Sequence, residues 1–525
     1  MRGPLTIPGA LDLAATTHPR TEAVVDDEVR LTYAQLRHEA LTVTRSLLAL
    51  GVRRGDRIAL WAPNSHRWVV AALAVAGAGA ILVPVNTRYK GDEARGVLEK
   101  SRTRLLLVEN GFLGNDYLAM LGTDATGETP VPGLPDLLDV VTLGGPAHSA
   151  ARPWEAFVEL GSRVPEDEAV AQWASVRPDD VSDLLFTSGT TGRPKGVLTS
   201  HQQNLSTYRA WCGRTGVTGD DRYLIINPLF HCFGYKAGVL ACLLQGATMV
   251  LQAVFDVTKA MTAVEAERVT VLPGPPTIYT SILDAPDRTR YDLTSLRLAV
   301  TGSAVVPIAL VQRMRAELFP VVLTAYGLTE CCGTVTACAV EDDDETVALT
   351  AGRPIDGVEL AVVDGEGRTV PVGQDGEVLV RGYNVMLGYL DDPRASAGTV
   401  DADGWLATGD VGRVDERGNL TITGRSKDMF TVGGFNVYPA EIEQVLSRHD
   451  AVAEAAVVGV PDGRLGEVGR AYVTLRPGAE AAAAELIGFC RDRLANFKVP
   501  REVVVLQEFP RNASGKVHKA GLQST

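Results

Sequence analysis

Leu184-Leu185-Phe186-Thr187-Ser188-Gly189-Thr190-Thr191-Gly192-Arg193-Pro194-Lys195-Gly196 is the stretch on which the reading of this chain turns. Its apolar start predicts a buried strand, and the strand opens into a loop of small, hydroxyl-bearing residues with one lysine. Small residues let backbone amides approach phosphate oxygens, hydroxyls add donors, and Lys195 adds charge. The spacing is not G-x-x-x-x-G-K-[ST], so this is not the NTPase P-loop. Such a run has no packing purpose, and it reads as an anion-binding loop.

Working outward, the pattern from Val24 to Asn86 predicts strand, helix, strand, helix, strand. The first helix opens at Leu31-Thr32-Tyr33, repeats its apolar positions through Leu36, Leu41, Val43, Leu47 and Leu50, and stops at Gly51. Arg57 to Ala62 and Ile81 to Pro84 read as buried strands. Alternation resumes from Ser182 to Gly302, and strands alternating with helices imply largely parallel sheets covered on both faces. Gly122 to Pro153 is rich in Gly and Pro and predicts an irregular excursion. After Gly352 short strands separated by Asp/Gly turns predict a small β-subdomain, and beyond Arg425 a compact α+β unit follows. The expected fold is α/β. A large N-terminal domain (1–424) of two βα-layered parallel-sheet subdomains plus a small β-subdomain leads through a hinge (425–428) to a mobile α+β C-terminal domain (429–525).

Bulk properties set limits on function. The chain has 525 residues, 46% of them hydrophobic, enough for about three domains' worth of packed core. A formal charge of −14 argues against nucleic acid or anionic lipid as partner. Val69 to Val85 is the most apolar run, but at that length, with Pro84 inside it, it predicts a buried helix and strand and not a membrane span. The start lacks the apolar core of a signal peptide. The seven cysteines show no metal-ligand spacing, and an odd number with Cys331 and Cys332 adjacent predicts reduced thiols and a cytoplasmic protein.

Other motifs carry chemistry. Following a predicted strand Val321 to Thr324, Ala325-Tyr326-Gly327-Leu328-Thr329-Glu330 offers a flat ring for a base, a hydroxyl for a phosphate and a carboxylate for Mg²⁺. Gly302-Ser303-Ala304 ends a predicted strand and leaves room for a planar group. Trp405-Leu406-Ala407-Thr408-Gly409-Asp410 ends in a carboxylate suited to paired ribose hydroxyls. Pro510-Arg511-Asn512-Ala513-Ser514-Gly515-Lys516 puts a cation near the C-terminus.

Taken in order along the whole chain, these motifs resemble the adenylate-forming superfamily of acyl-CoA synthetases, peptide-synthetase adenylation domains and luciferases. The resemblance implies ATP, Mg²⁺ and, as co-substrate, coenzyme A. It makes Thr187, Ser188, Gly189, Thr190, Thr191, Gly192 and Lys195 the phosphate loop, and Gly302, Ser303 and Ala304 the adenine edge. It assigns Tyr326 and Gly327 to the adenine face, Thr329 to the α-phosphate, Glu330 to Mg²⁺, and Asp410 with Arg425 to the ribose. Lys427 falls at the hinge. Gly433 and Gly434 fall in a loop that lines the pantetheine tunnel in a second conformation. Lys516 matches the catalytic lysine that neutralises charge as the carboxylate attacks phosphorus.

The expected activity is an AMP-forming acid–CoA ligase, working through an acyl-adenylate. An adenylation domain is a rival enzyme class. It usually places an Asp in the pocket to pair a substrate ammonium, and Asn227 to Tyr235 has no acid. Within the ligases, Asn227 to Gly238, Leu272 to Ser281 and Leu494 to Arg501 resemble an actinobacterial group that activates the hexahydroindanedione propanoate left from steroid rings C and D. The Cys331-Cys332 pair is a departure from that group's pattern. The expected acid pocket is His231, Phe233, Tyr235 and Ile278, with Cys331 and Cys332 as small wall residues. A medium-chain fatty acid, an aryl acid, or loading of a carrier protein are the alternatives, and a homodimer is left open.

Overall fold

The computed structural model describes residues 5–123, 129–187, 194–302, 306–425, 428–432, 435–462, 465–494, 496–511 and 517–522. Ser188 to Arg193, Ser303, Ala304, Lys427, Gly433, Gly434 and Lys516 therefore lie outside the described residues.

Two large sheets build the first 350 residues. One has Ile81–Pro84, Arg57–Trp61, Leu105–Glu109, Asp139–Gly144 and Arg152–Pro153 running parallel beside Val181–Thr187. Lys195–Ser200 and then Gly388–Tyr389 close that edge antiparallel. In the other, Glu22–Asp26, Thr248–Leu251 and Arg222–Ile225 are parallel, as are Leu298–Gly302 and Val321–Tyr326. Single bridges through Val271 stitch the two halves together.

Alternation of side chains explains why the first sheet is apolar on every residue. Ile58, Leu60, Leu105 and Leu107 face the largest core cluster, while Ala59, Trp61, Leu106 and Val108 face a second one. A parallel strand covered on both sides reads as a continuous hydrophobic run. The buried helix His66–Gly77, capped by Ser65, packs against strands of both sheets and joins them into one core.

Four antiparallel strands, Val358–Val363, Gly376–Gly382, Leu406–Val414 and Leu420–Arg425, form the small β-unit. A separate sheet of Phe430–Val432, Phe435–Val437, Val452–Asp462, Gly466–Leu475 and Glu502–Leu506 follows, with its own apolar core under the helices Pro439–Leu446 and Ala483–Arg491.

Three expectations are corrected. Leu31 and Thr32 belong to the strand Val29–Thr32, which pairs antiparallel with Glu22–Asp26. The helix begins at Tyr33, behind a capping box of Thr32 and Gln35. The segment 122–153 is not wholly irregular, because Asp139–Gly144 enters the first sheet. Tyr326 is the last residue of its strand, not a residue after it. No helix among the described residues is long and apolar enough to cross a membrane.

Candidate functional site

The two strands flanking the expected phosphate loop pair antiparallel and in register, Thr187 opposite Lys195 and Phe186 opposite Gly196. Gly196 is closely packed there: a Cβ would lie 2.7 Å from the tip of the Leu184 side chain and 3.3 Å from Leu390, so a larger residue has to displace them. The Lys195 ammonium lies 4.6 Å from the ring centroid of Tyr389, within cation–π range. The Tyr389 hydroxyl donates to Glu330 Oε1 at 2.9 Å. One tyrosine thus joins the phosphate-loop cation to the carboxylate expected to hold Mg²⁺. The Glu330 carbonyl accepts from the Met386 amide at 2.8 Å, which ties the Thr329–Cys331 turn to the segment carrying Tyr389.

Tyr326 and Asp410 form a second pair. The tyrosine hydroxyl donates to Asp410 Oδ2 at 2.6 Å, and Asp410 is almost wholly buried. Burial and the neighbouring carboxylate raise the Tyr326 pKa, so the phenol stays a donor. Asp410 stands directly across the sheet from Arg425, which places the two expected ribose residues on adjacent strands. Gly302 pairs with Ala325, and a Cβ on it would lie 2.6 Å from the Ala325 carbonyl. Gly327 lies still closer to its neighbours: a Cβ would lie 2.1 Å from the Gly333 carbonyl, so the turn bearing Thr329 and Glu330 closes only over a glycine.

The residues expected to line an acid pocket fall on other elements, His231, Phe233 and Tyr235 on one stretch and Ile278 in the helix Pro276–Leu283. His231 caps the short turn Cys232–Gly234, its Nδ1 accepting from the Phe233 amide at 3.2 Å. That fixes the neutral tautomer with the proton on Nε2. The ring is reached by solvent, yet protein crowds it closely enough that desolvation lowers its pKa. Phe233 is half-buried against the core, while Ile278 and Tyr235 are 5% and 1% exposed. Tyr235 packs against Trp68 with ring centroids 5.5 Å apart, within the main core. Cys331 and Cys332 have no accessible surface, and burial pushes their thiols up, to about 12 for Cys332, so both stay protonated.

Three contributors were not legible in the sequence. Tyr389 sits in Gly388-Tyr389-Leu390, a run with no distinguishing chemistry. Asn64 Nδ2 lies 3.1 Å from the carbonyls of Ile225, Asn227 and Gln252, and its Oδ1 accepts from the Leu229 amide, pinning the chain that leads into the His231 turn. Lys236 is buried beside Asp183. A lysine inside an otherwise apolar run was the one available signal.

The described residues therefore bring Lys195, Tyr389 and Glu330 together, pair Tyr326 with the buried Asp410, and set His231 on a separate turn. The AMP-binding enzyme family matches residues 11–390, and the AMP-binding enzyme C-terminal domain matches residues 441–516. The 3-[(3aS,4S,7aS)-7a-methyl-1,5-dioxo-octahydro-1H-inden-4-yl]propanoyl:CoA ligase of Rhodococcus jostii is 53% identical over 98% of this chain and 98% of its own. The ligase of the same name from Mycobacterium tuberculosis is 51% identical over 99% and 98%. The human mitochondrial medium-chain acyl-CoA ligase ACSF2 is 35% identical over 99% of this chain and 87% of its own. Among solved structures, an anthranilate CoA ligase in complex with anthranoyl-AMP superposes with a TM-score of 0.88 at 29% identity, over 100% of this chain and 98% of that one.

Proposed function

The chain belongs to the AMP-binding enzyme family and is an acid–thiol ligase, and we propose that it activates the propanoate side chain of a bicyclic indanedione from steroid breakdown and transfers it to coenzyme A. The observation that carries this reading is the identity of 53% and 51%, end to end, with two ligases named for that acid. The His231 Nε2–H suits that acid as well, since a ketone oxygen can accept from it.

Adenylation joins two anions, so the protein's task is positioning and charge neutralisation. The acid carboxylate attacks the α-phosphorus, the bond to the β-phosphate breaks, and pyrophosphate leaves an acyl-adenylate. Lys195 and the loop after Thr187 hold the phosphates, Thr329 bonds the α-phosphate, and Tyr326 with Asp410 and Arg425 orients the nucleoside. Glu330, its Oε1 held by Tyr389, would bind Mg²⁺. Mg²⁺ takes few protein ligands and shares the rest with phosphate and water, which a lone carboxylate satisfies. Lys516 would deliver the cation that meets the attacking carboxylate. Rotation about Lys427 then withdraws Lys516 and brings in Gly433 and Gly434. The thiol attacks the mixed anhydride, and AMP departs. All seven cysteines are buried and unpaired, consistent with a reducing cytoplasm.

The test is competitive. Specificity constants for the indanedione propanoate, octanoate, palmitate and a cinnamate are measured by AMP release under one set of conditions. The bicyclic acid is expected to lead by at least tenfold, about 1.4 kcal/mol in transition-state binding. A tenfold lead for any of the others overturns this substrate and leaves the ligase chemistry standing.

A further inference from the structure

Lys236 is a charged residue at the start of the apolar run Ala237-Gly238-Val239-Leu240-Ala241, and none of the chemistry above uses it. Neither it nor Asp183 has accessible surface. Its ammonium lies 2.9 Å from Asp183 Oδ1 and donates to Thr199 Oγ1 at 3.0 Å. Thr199 in turn donates to Asp183 Oδ1 at 2.7 Å. Asp183 Oδ2 accepts from the Ser182 hydroxyl at 2.7 Å and from Asn204 Nδ2 at 2.5 Å. Burial alone would lower the Lys236 pKa, but the Asp183 carboxylate beside it outweighs burial and the net shift is upward, so Lys236 keeps its proton.

The placement of this pair matters more than its strength. Asp183 and Thr199 face each other across the two strands that flank the phosphate loop, with the Thr187–Lys195 pair four residues further along the ladder. Lys236 belongs to the π-helix Tyr235–Leu240, which continues directly from the acid-pocket turn His231 to Gly234. That turn also touches the nucleotide motif, because Cys232 packs so closely on Gly333 that a Cβ there would lie 2.6 Å from it. The Tyr208 hydroxyl donates to the Cys332 carbonyl at 2.9 Å from the same side. π-Helical turns are rare and concentrate at functional sites. A buried ion pair adds little net stability over an apolar pair of equal volume, because desolvation offsets the attraction. What this pair supplies is one fixed geometry between elements remote in sequence.

We propose that Lys236 is a positioning residue for adenylation: clamped to Asp183 and Thr199, it holds the acid-pocket turn in register with the phosphate loop, so that carboxylate and α-phosphate meet in line. The proposal rests on the ligase reading above. Lys236 acts through His231 and Phe233 on one side and through Thr187 and Lys195 on the other. The thioester step brings no carboxylate to a phosphate and needs no such register.

Two variants of the full chain test it with the indanedione propanoate as probe. The double variant D183N/K236M removes both charges at nearly constant volume, and T199V removes one hydroxyl without changing shape. Adenylation is read by pyrophosphate exchange, and the second half-reaction by CoA transfer from supplied acyl-adenylate. In the double variant the exchange kcat is expected to fall about 100-fold, with KM for acid and ATP within about threefold and CoA transfer within about twofold of wild type. T199V is expected to lose about tenfold in exchange alone, and it decides the matter if the double variant does not fold. Unchanged exchange in a folded variant overturns the proposal, and so does equal loss of both half-reactions, which marks the pair as only structural. If the wild-type protein catalyses no acid-dependent exchange with this acid, octanoate or benzoate, the ligase reading itself fails, a result distinguishable from either.

Discussion

His201 begins the helix His201–Thr215 with no accessible surface, and its Nδ1 accepts from the Ile7 amide at 3.3 Å. Burial pulls its pKa down to about 4, against the opposing pull of Asp183 and Asp180. The sign of the consequence follows from linkage. Between the unfolded value near 6.5 and the folded value near 4, the unfolded chain takes up a proton that the folded chain refuses. The contribution is complete above about pH 6.5 and erodes as pH falls, reaching about 3 kcal/mol of lost stability at pH 4. His201→Gln cannot charge. Its urea midpoint is expected to decline less than that of wild type between pH 7 and pH 4.5, and parallel declines would show that His201 does not titrate in this way. Its role, like those of Tyr389 and Asn64, comes from partners far away in sequence. The Tyr389–Glu330 bond spans 59 residues and the His201–Ile7 bond 194. Local pattern carries no trace of such pairings.

At the scale of elements, the sequence was most legible where one rule acted alone. Ile81–Pro84 and the helix beyond Ser65 follow from unbroken apolarity. It was least legible where pairing overrides local texture. Val29–Thr32 is drawn into a hairpin by Glu22–Asp26, although Thr32 and Gln35 already announce a helix. Asp139–Gly144 hides in a Gly/Pro-rich stretch because only its parallel neighbour Leu105–Glu109 makes it a strand. The turn from Tyr326 to Gly333 combines both situations. Its residues are recognisable, but its closure depends on Gly327 sitting against the Gly333 carbonyl. Gly327→Ala must open that turn by more than an ångström, displacing Thr329 and Glu330. Because Gly327 is exposed, the chain should stay folded. The expected result is at least a tenfold loss of pyrophosphate exchange with a raised KM for ATP, and a melting temperature within about 3 °C of wild type. An unchanged KM for ATP would show that the turn does not carry the nucleotide.

Across the whole molecule, the residues proposed for catalysis fall before and after residue 425, on sheets with separate cores. Lys195, Tyr326, Glu330 and Asp410 belong to the sheets before residue 425, whereas the flanks of Lys516 are anchored to the later sheet. Arg511 pairs with Val517 antiparallel, Phe509 and Leu522 pack in a cluster with Tyr472, and the Tyr472 hydroxyl donates to the Leu522 carbonyl at 2.5 Å. Any reorientation of that sheet therefore carries Arg511 and Val517 with it. The strand Leu420–Arg425 ends opposite Asp410, and Phe430 starts the new sheet, so few residues are available to pivot. If the smaller unit turns between half-reactions, as proposed, Lys516 serves only the first. Lys516→Ala should then lower pyrophosphate exchange by at least about 1,000-fold, while CoA transfer from supplied acyl-adenylate stays within about threefold of wild type. Loss of both half-reactions to the same extent would mean that Lys516 stays in the site throughout, and the two units would then act as one rigid body.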